Sequence, residues 1–260
     1  MTEPHRKSHP SLRAARLERA MLRLVRGDGI VPLHDPGPDQ PGRGVVTVGG
    51  RSSLADLLTE VGALPEAAAR GTGTRIARTL ARLHDDGIVH GDIKPANVVF
   101  APDGDLWLID FDAAGLPGST RRRGTPARLP HPPGRALHPR DDVLGLAIMV
   151  VECATGVVLD PSTRWSDHDL ARIGCSTDLA ADVGAVLRDP SSAARLAEIL
   201  ARHDDRLPPP PRSRTGTDPT PTVDIPSVAL GGLDALGGAT TDEPASVRSG
   251  WRRSAPSAHG

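Results

Sequence analysis

A predicted β-hairpin near the middle of the chain carries polar residues where its two strands meet the flanking loops. Val98–Phe100 and Leu106–Ile109 are short apolar runs, and Asp103-Gly104 between them supplies the left-handed geometry of a tight turn. Asn97 immediately precedes the first strand, and Asp110 follows the second. Because a hairpin brings the start of one strand beside the end of the other, we expect a carboxamide and a carboxylate at the same end.

Four side chains of this region form an ordered set with a definite chemistry. Asn97 and Asp110 offer hard oxygen ligands, which suit Mg²⁺ because that ion usually keeps water and substrate phosphates in its shell. Asp92 is placed to accept a proton from an attacking hydroxyl. Lys94, two residues on, can hold negative charge that develops on a transferred phosphoryl group. A lone Asp in a loop usually caps or turns the backbone, but the whole set in this context predicts phosphoryl transfer.

Lysine usage marks two positions of the chain. Of the 31 basic residues, only Lys7 and Lys94 are lysines. A lysine supplies a compact ammonium on a flexible stem where an arginine supplies a planar fork, so both positions are candidates for sites that need a point charge. Lys94 falls inside the polar set, whereas Lys7 lies far from it in the sequence.

Composition and charge exclude several classes of protein. The 260 residues and 38% hydrophobic content are enough for one or two domains with a core. A formal net charge of -1 gives no signature for nucleic acid, and the longest apolar run is too short to span a bilayer. The N-terminus has no apolar segment of the secretory kind, and two cysteines cannot form a disulfide framework. We expect a cytoplasmic protein, and the abundance of Ala, Arg, Gly and Pro is typical of a high-GC bacterium.

Hydrophobic periodicity predicts a mainly helical chain with a few short strands. Besides the hairpin, strands are predicted over Ile30–His34 and Val45–Val48. Helices are predicted over Ser11–Val25, Ser53–Val61, Pro65–Asp85, Asp141–Thr155, Leu179–Leu187 and Ser192–His203. From Leu207 onward the sequence is rich in Pro, Ser and Thr and poor in apolar residues, which predicts a disordered tail.

The polar set and its surroundings resemble the protein kinase superfamily, in particular the bacterial Ser/Thr protein kinases. The resemblance extends from about Ser11 to His203. It implies an α+β fold with a small, truncated N-terminal lobe (1–50) of a few antiparallel strands and one helix. A larger, mainly helical lobe (51–206) and the disordered Pro-rich tail (207–260) would follow.

The resemblance implies a role for each residue around the hairpin. Asp92 corresponds to the catalytic base and Lys94 to the lysine that faces the transferred phosphate. Asn97 and Asp110 correspond to the Mg²⁺ ligands of the ATP site, and Thr125 to the threonine that bridges the base and the lysine. In the same pattern, Asp142 is the buried carboxylate that braces the catalytic loop.

Nucleotide contacts are implied upstream as well. Glu18 resembles the helix glutamate that pairs with a phosphate-binding lysine, and Lys7 is the only lysine before it. Eleven residues is a short gap for that pair, and a solvated surface lysine is the alternative. Val48 lies in the segment where adenine would bind by backbone hydrogen bonds. The implied cofactors are ATP and Mg²⁺.

Three departures from the kinase pattern bear on function. No Gly-rich phosphate loop is visible upstream of Glu18. Gly91 stands where an arginine is usual, so activity is not expected to depend on a phosphorylated activation loop. Asp112 replaces the glycine that usually follows Asp110-Phe111 in the kinase pattern. This replacement resembles the sequence of small-molecule phosphotransferases.

The favoured function is an ATP-dependent protein kinase-like phosphotransferase acting on Ser or Thr of an unknown protein substrate. A small-molecule kinase of the aminoglycoside or choline type is one alternative, favoured by Gly91 and Asp112. A pseudokinase that acts as a partner-binding scaffold is another, favoured by the missing Gly-rich loop. Neither a nucleic-acid partner nor a membrane segment is expected, and the oligomeric state is open.

Overall fold

The computed structural model describes residues 5–9, 11–34, 44–50, 52–120, 125, 134–202 and 207–210. Within these residues, two two-stranded antiparallel sheets and seven α-helices make an α+β protein, which confirms the predicted fold class. No helix in the same residues combines the length and apolar character needed to cross a membrane.

The two sheets are separate pairs of antiparallel strands. β1 (His5–Ser8) pairs with β2 (Gly44–Thr47), with Lys7 opposite Val45. β3 (Val98–Phe100) pairs with β4 (Leu106–Leu108) as the predicted hairpin. A parallel bridge between Ile30 and Leu108 joins the segment after the first helix to β4. The first sheet and the hairpin are therefore held together through this segment.

The helices begin mostly at serine caps. They are α1 (Leu12–Leu24), α2 (Leu54–Val61), α3 (Glu66–Asp85), α4 (Pro139–Thr155), α5 (Asp167–Arg172), α6 (Thr177–Arg188) and α7 (Ala193–Leu200). The residue before α1, α2, α5, α6 and α7 is a serine whose side chain accepts a backbone N–H of the first turn. Gly156 ends α4 in the left-handed conformation. A single 3₁₀ turn, Pro95–Asn97, leads into β3.

The core is centred on α3 and α4. Val143 to Cys153 of α4 is almost wholly buried, which explains why this apolar run has no polar face. At Gly73 of α3, an added Cβ would lie 2.5 Å from Val150 and 2.6 Å from Leu200. The missing side chain thus allows α3 to pack closely against both α4 and α7.

The structure confirms most of the predicted helices and strands. All six predicted helices and the hairpin are confirmed, with ends shifted by a few residues. The strand predicted over Ile30–His34 is wrong, because only isolated bridges occur there, at Ile30 and Leu33. β1 and α5 were not predicted. The sequence His-Arg-Lys-Ser of β1 has no apolar alternation, so its extended form depends on pairing with β2.

Some predictions fall outside the described residues. These include the tail from residue 211 onward. Leu207, the first residue of the predicted tail, packs against the core, and Pro208 is buried. The division into 1–50, 51–206 and 207–260 stays a prediction.

Candidate active site

Asp142 of α4 holds the loop that precedes β3. It is 1% exposed and accepts hydrogen bonds from the backbone N–H groups of His90, at 2.8 Å, and Gly91, at 2.7 Å. Its Oδ2 also lies 3.0 Å from Nε2 of His84 on α3. Hydrogen bonds to a buried carboxylate are strong, so these contacts hold the loop that follows α3 against α4.

Asp92 lies at the centre of a hydrogen-bonded cluster. Its Oδ2 accepts from Lys94 Nζ at 2.7 Å, and its Oδ1 accepts from the backbone N–H of Thr125 at 2.8 Å. Lys94 Nζ also donates to Thr125 Oγ1 at 2.5 Å, and that hydroxyl lies 3.2 Å from Asp92 Oδ2. The structure therefore brings together the three residues that the sequence predicted as catalytic.

The same contacts set the charge of Asp92. Burial by itself acts to raise the pKa of this carboxyl group, but the hydrogen bond and charge of Lys94 and the two hydrogen bonds from Thr125 outweigh it. The pKa of Asp92 is consequently held below its ordinary value. At neutral pH the group is a carboxylate, which can accept a hydrogen bond or a proton.

Asn97 and Asp110 lie at the same end of the hairpin, as expected. The N–H of Ile109 donates to the carbonyl of Asn97 at 3.0 Å, which places Asp110 beside that residue. Nδ2 of Asn97 donates to the Asp92 carbonyl at 2.8 Å and to its Oδ2 at 3.2 Å, so the amide oxygen remains for a ligand. Among the described residues, Asp110 is the only non-glycine residue with a positive φ, of 65°. Strained backbone of this kind is concentrated at functional sites.

β1 carries Lys7 into the site. The Nζ atom of Lys7 lies 2.5 Å from Asp110 Oδ1, 3.3 Å from Glu18 Oε1 and 3.5 Å from Asp112 Oδ2. Glu18 lies on the buried face of α1, which directly follows the strand. Lys7 is therefore not a solvated surface lysine, because its side chain is only 29% exposed and contacts three carboxylates.

These contacts shift two pKa values in opposite directions. Burial acts to lower the pKa of Lys7, but the hydrogen bond and charge of Asp110, with Glu18 and Asp112, raise it above the ordinary lysine value. Burial acts to raise the pKa of Asp110, but the hydrogen bond and charge of Lys7 outweigh it, with a smaller contribution from the hydrogen bond between the Asp110 and Asp112 side chains, and the net direction is down. Both groups are charged at neutral pH.

His9 and Asp112 reach the site without having been predicted there. Nε2 of His9 contacts Glu18 Oε2, and both side chains are almost fully buried, although the contact lacks hydrogen-bond geometry. No sequence signal singled out His9. The signal for Asp112 was its replacement of the usual glycine, which by itself did not indicate contact with Lys7.

Val48 follows β2 directly. Its N–H donates to the carbonyl of Pro32 at 2.9 Å. A backbone hydrogen bond between Val48 and a ligand would therefore have the Val48 carbonyl oxygen as acceptor. The predicted contact with adenine stays a prediction.

The residues present fit a magnesium ion. Asn97 and Asp110 supply two oxygen donors at one end of the hairpin, and Mg²⁺ completes its shell with water and phosphate oxygens. In the described part of the chain, no group of three or more His, Cys, Asp or Glu side chains has the arrangement of a metal site. A divalent ion bound by these two residues would therefore complete its shell with water or phosphate oxygens.

Comparison with known protein families identifies the family of this chain. A family model described as a protein kinase domain matches residues 2–167, which include every residue of the cluster. The chain belongs to the protein kinase family.

Kinases from bacteria and plants are among its relatives. The chain is 32% identical over 154 residues to the serine/threonine-protein kinase PknL of Mycobacterium tuberculosis, covering 54% of this chain and 38% of that protein. It is 34% identical over 113 residues to the serine/threonine-protein kinase AfsK of Streptomyces coelicolor, covering 40% of this chain and 14% of that protein. Mitogen-activated protein kinase kinase 1 of Arabidopsis thaliana is 33% identical over 115 residues, covering 40% and 32%. The chain thus spans well under half the length of these kinases.

In this kinase domain, the predicted site residues other than Val48 form two linked groups. The first group surrounds Asp92, and the second surrounds Lys7. Asn97 and Asp110 connect the two, because Asn97 donates to Asp92 and Asp110 accepts from Lys7. The cluster comprises Lys7, Glu18, Asp92, Lys94, Asn97, Asp110 and Thr125.

Proposed function

We propose that the protein is an ATP-dependent protein kinase that transfers the γ-phosphoryl group of Mg-ATP to Ser or Thr hydroxyls of a protein substrate. The observation that carries the proposal is the contact of Lys94 with both Asp92 and Thr125. A base, a cation and a hydroxyl bridge in one cluster are the parts that in-line phosphoryl transfer requires. We further propose that it acts in the cytoplasm, in keeping with two buried cysteines that are not joined by a disulfide.

The Asp92 cluster would handle the acceptor hydroxyl. Asp92 orients the hydroxyl and accepts its proton, because its depressed pKa keeps it ionised. Lys94 lies 2.7 Å from that carboxylate and stabilises the negative charge that develops on the transferred group. Thr125 holds both side chains by hydrogen bonds, so they are positioned before the substrate arrives.

The Lys7 cluster would handle the nucleotide. Glu18 lies on α1 and orients Lys7 toward Asp110 at the end of the hairpin. The Lys7 ammonium binds phosphate oxygens, and Asn97 and Asp110 hold the metal. When bound, Mg²⁺ supplies neutralisation of the phosphate charge.

A protein substrate is favoured over a small molecule by the Lys94–Thr125 contact, which belongs to the Ser/Thr kinase pattern. The curated relatives named serine/threonine-protein kinases support the same assignment. A small-molecule kinase remains the second candidate because Asp112 follows Asp110-Phe111 and contacts Lys7.

The test is transfer of label from γ-labelled ATP with Mg²⁺ to casein, followed by phosphoamino-acid analysis. We expect phosphoserine or phosphothreonine with the wild type, and a loss of about 10²-fold or more with Asp92→Asn. Asp85→Asn, an exposed carboxylate at the end of α3, is the matched control and should retain full activity. Label on aminoglycosides or choline alone would identify a small-molecule kinase, and absence of any ATP binding would identify a scaffold.

A further inference from the structure

The Lys7 ammonium has more carboxylate partners than its own charge can neutralise. Asp110, Glu18 and Asp112 lie within 3.5 Å of it, so one ammonium faces three carboxyl groups, two of which, Asp110 and Asp112, are hydrogen-bonded to each other. Asp112 is the partner with no counterpart in the kinase pattern, where a glycine usually follows Asp110-Phe111. A glycine there would leave Lys7 with two carboxylates.

Asp110 and Glu18 also interact with groups other than Lys7. Under the proposed function, Asp110 is also a ligand of the metal, and two cations drawn to one carboxylate repel each other. Glu18 is shared with His9, whose Nε2 contacts the second carboxylate oxygen. The shortest contact of Lys7, 2.5 Å to Asp110 Oδ1, is therefore the one that a bound metal weakens.

Asp112 is placed to hold Lys7 when that happens. Its Oδ2 is 3.5 Å from Lys7 Nζ, and its side chain is 19% exposed. Phe111 between the two aspartates is fully buried and stacks edge-on against His90, with ring centroids 4.8 Å apart. This anchored ring fixes the backbone from which both carboxylates reach Lys7.

We propose that Asp112 is a positioning residue that keeps Lys7 in the site when Asp110 binds the metal. The inference rests on the proposed function, because it assigns Asp110 to the metal. Asp112 acts through Lys7 and touches neither the acceptor hydroxyl nor the transferred group.

Lysine labelling tests this without any nucleotide. The chain has only two lysines, so an acylating reagent and peptide mass spectrometry read Lys7 and Lys94 separately in one sample. In Asp112→Asn, millimolar Mg²⁺ should raise the labelling rate of Lys7 about two- to fivefold, the factor for losing an ion pair of partly exposed groups. In the wild type and in the Asp85→Asn control, Mg²⁺ should change the labelling rate of Lys7 by less than about twofold. Lys94 is the internal reference.

Equal labelling of Lys7 in the wild type and in Asp112→Asn, with and without Mg²⁺, would overturn the proposal. Asp112→Gly, which restores the residue usual in the family, gives a second reading if the Asn variant folds poorly. Thermal melts show whether each variant is folded.

ATP binding by calorimetry separates the two proposals. Asp112→Asn should weaken binding of Mg-ATP about two- to fivefold, leave binding of ATP in EDTA unchanged, and have no effect in a Lys7→Met background. A loss that persists in that background would make Asp112 a metal ligand and overturn the positioning role. Absence of ATP binding by the wild type would refute the proposed function, while the labelling result would still decide the role of Asp112.

Discussion

Lys7 Nζ lies 3.3 Å from Glu18 Oε1, although only eleven residues separate them in the chain. The contact is possible because Lys7 is on β1 and Glu18 is on the buried face of the helix that follows at once. The pairing of β1 with β2 holds the lysine against that helix and aims it at Asp110. A short connection therefore reaches a geometry that the sequence spacing made doubtful.

Replacing Lys7 by Met should remove activity and cost some stability. Three carboxylates lose their shared cation, so we expect kcat/KM to fall about a hundredfold or more and the free energy of unfolding to fall by about 1–2 kcal/mol. Lys7→Arg should not restore the rate, because a planar fork does not replace a point charge. Initial rates and urea unfolding measure both effects. The matched control is Arg13→Met on the exposed face of α1, and an equal loss in that variant would contradict the assignment.

Asp110→Asn should abolish Mg²⁺-dependent transfer while leaving the fold intact. Lys7 keeps Glu18 and Asp112, and Asp110 is partly exposed, so the stability cost should be about 1 kcal/mol or less. Because the folded pKa of Asp110 is depressed, this cost is present above the ordinary Asp pKa and vanishes as the pH falls through the folded value. Urea titrations at several pH values follow it. Robust transfer by the variant would refute the metal assignment.

Thr125→Val should shift the acid limb of the kcat profile to higher pH. The variant loses the hydroxyl that contacts both Lys94 and Asp92, although the backbone N–H still donates to Asp92. With the carboxylate less stabilised, its pKa rises toward or beyond the ordinary value, so protonation inactivates the base at a higher pH. Thr125→Ser keeps the hydroxyl and should keep the wild-type profile. Identical acid limbs in the Val and Ser variants would contradict this role.

Gly91→Ala should destabilise the catalytic loop more than a matched glycine substitution does. Gly91 has a φ of 83°, and an added Cβ would lie 3.0 Å from the carbonyl of Ala113 and 3.1 Å from Leu137. Gly87 has a similar φ, of 71°, but nothing within 4 Å. Gly87→Ala should therefore cost about 1–2 kcal/mol for the backbone alone, and Gly91→Ala about 1–3 kcal/mol more for the contact. Thermal unfolding of the two variants measures the difference, and equal costs would show that the loop relaxes.

The same geometry explains one departure from the kinase pattern. The position usually taken by arginine has a left-handed backbone here and lies against the carbonyl of Ala113. A side chain at Gly91 would strain both the backbone and that contact. The absence of arginine is therefore built into the local structure of the loop.

The sequence by itself determined six of the seven helices in the described residues, the hairpin, and the part of the Asp92 cluster that lies in one loop. Periodic apolar residues and serine caps act within a few turns, and an Asp-Gly turn pairs strands that are neighbours in the chain. Asp92, Lys94 and Asn97 lie within six residues of one another, so their order was enough to predict that they would lie together.

Only the tertiary structure decided the Lys7 cluster. Lys7 and Asp110 are 103 residues apart, and their contact depends on β1 pairing with β2 and on the bridge between Ile30 and Leu108. His9 and Asp112 entered the site through the same packing. Contacts of this kind arise from pairing between distant segments, whose register no local pattern of residues specifies. For this reason composition marked both lysines equally, and only the folded chain showed what Lys7 touches.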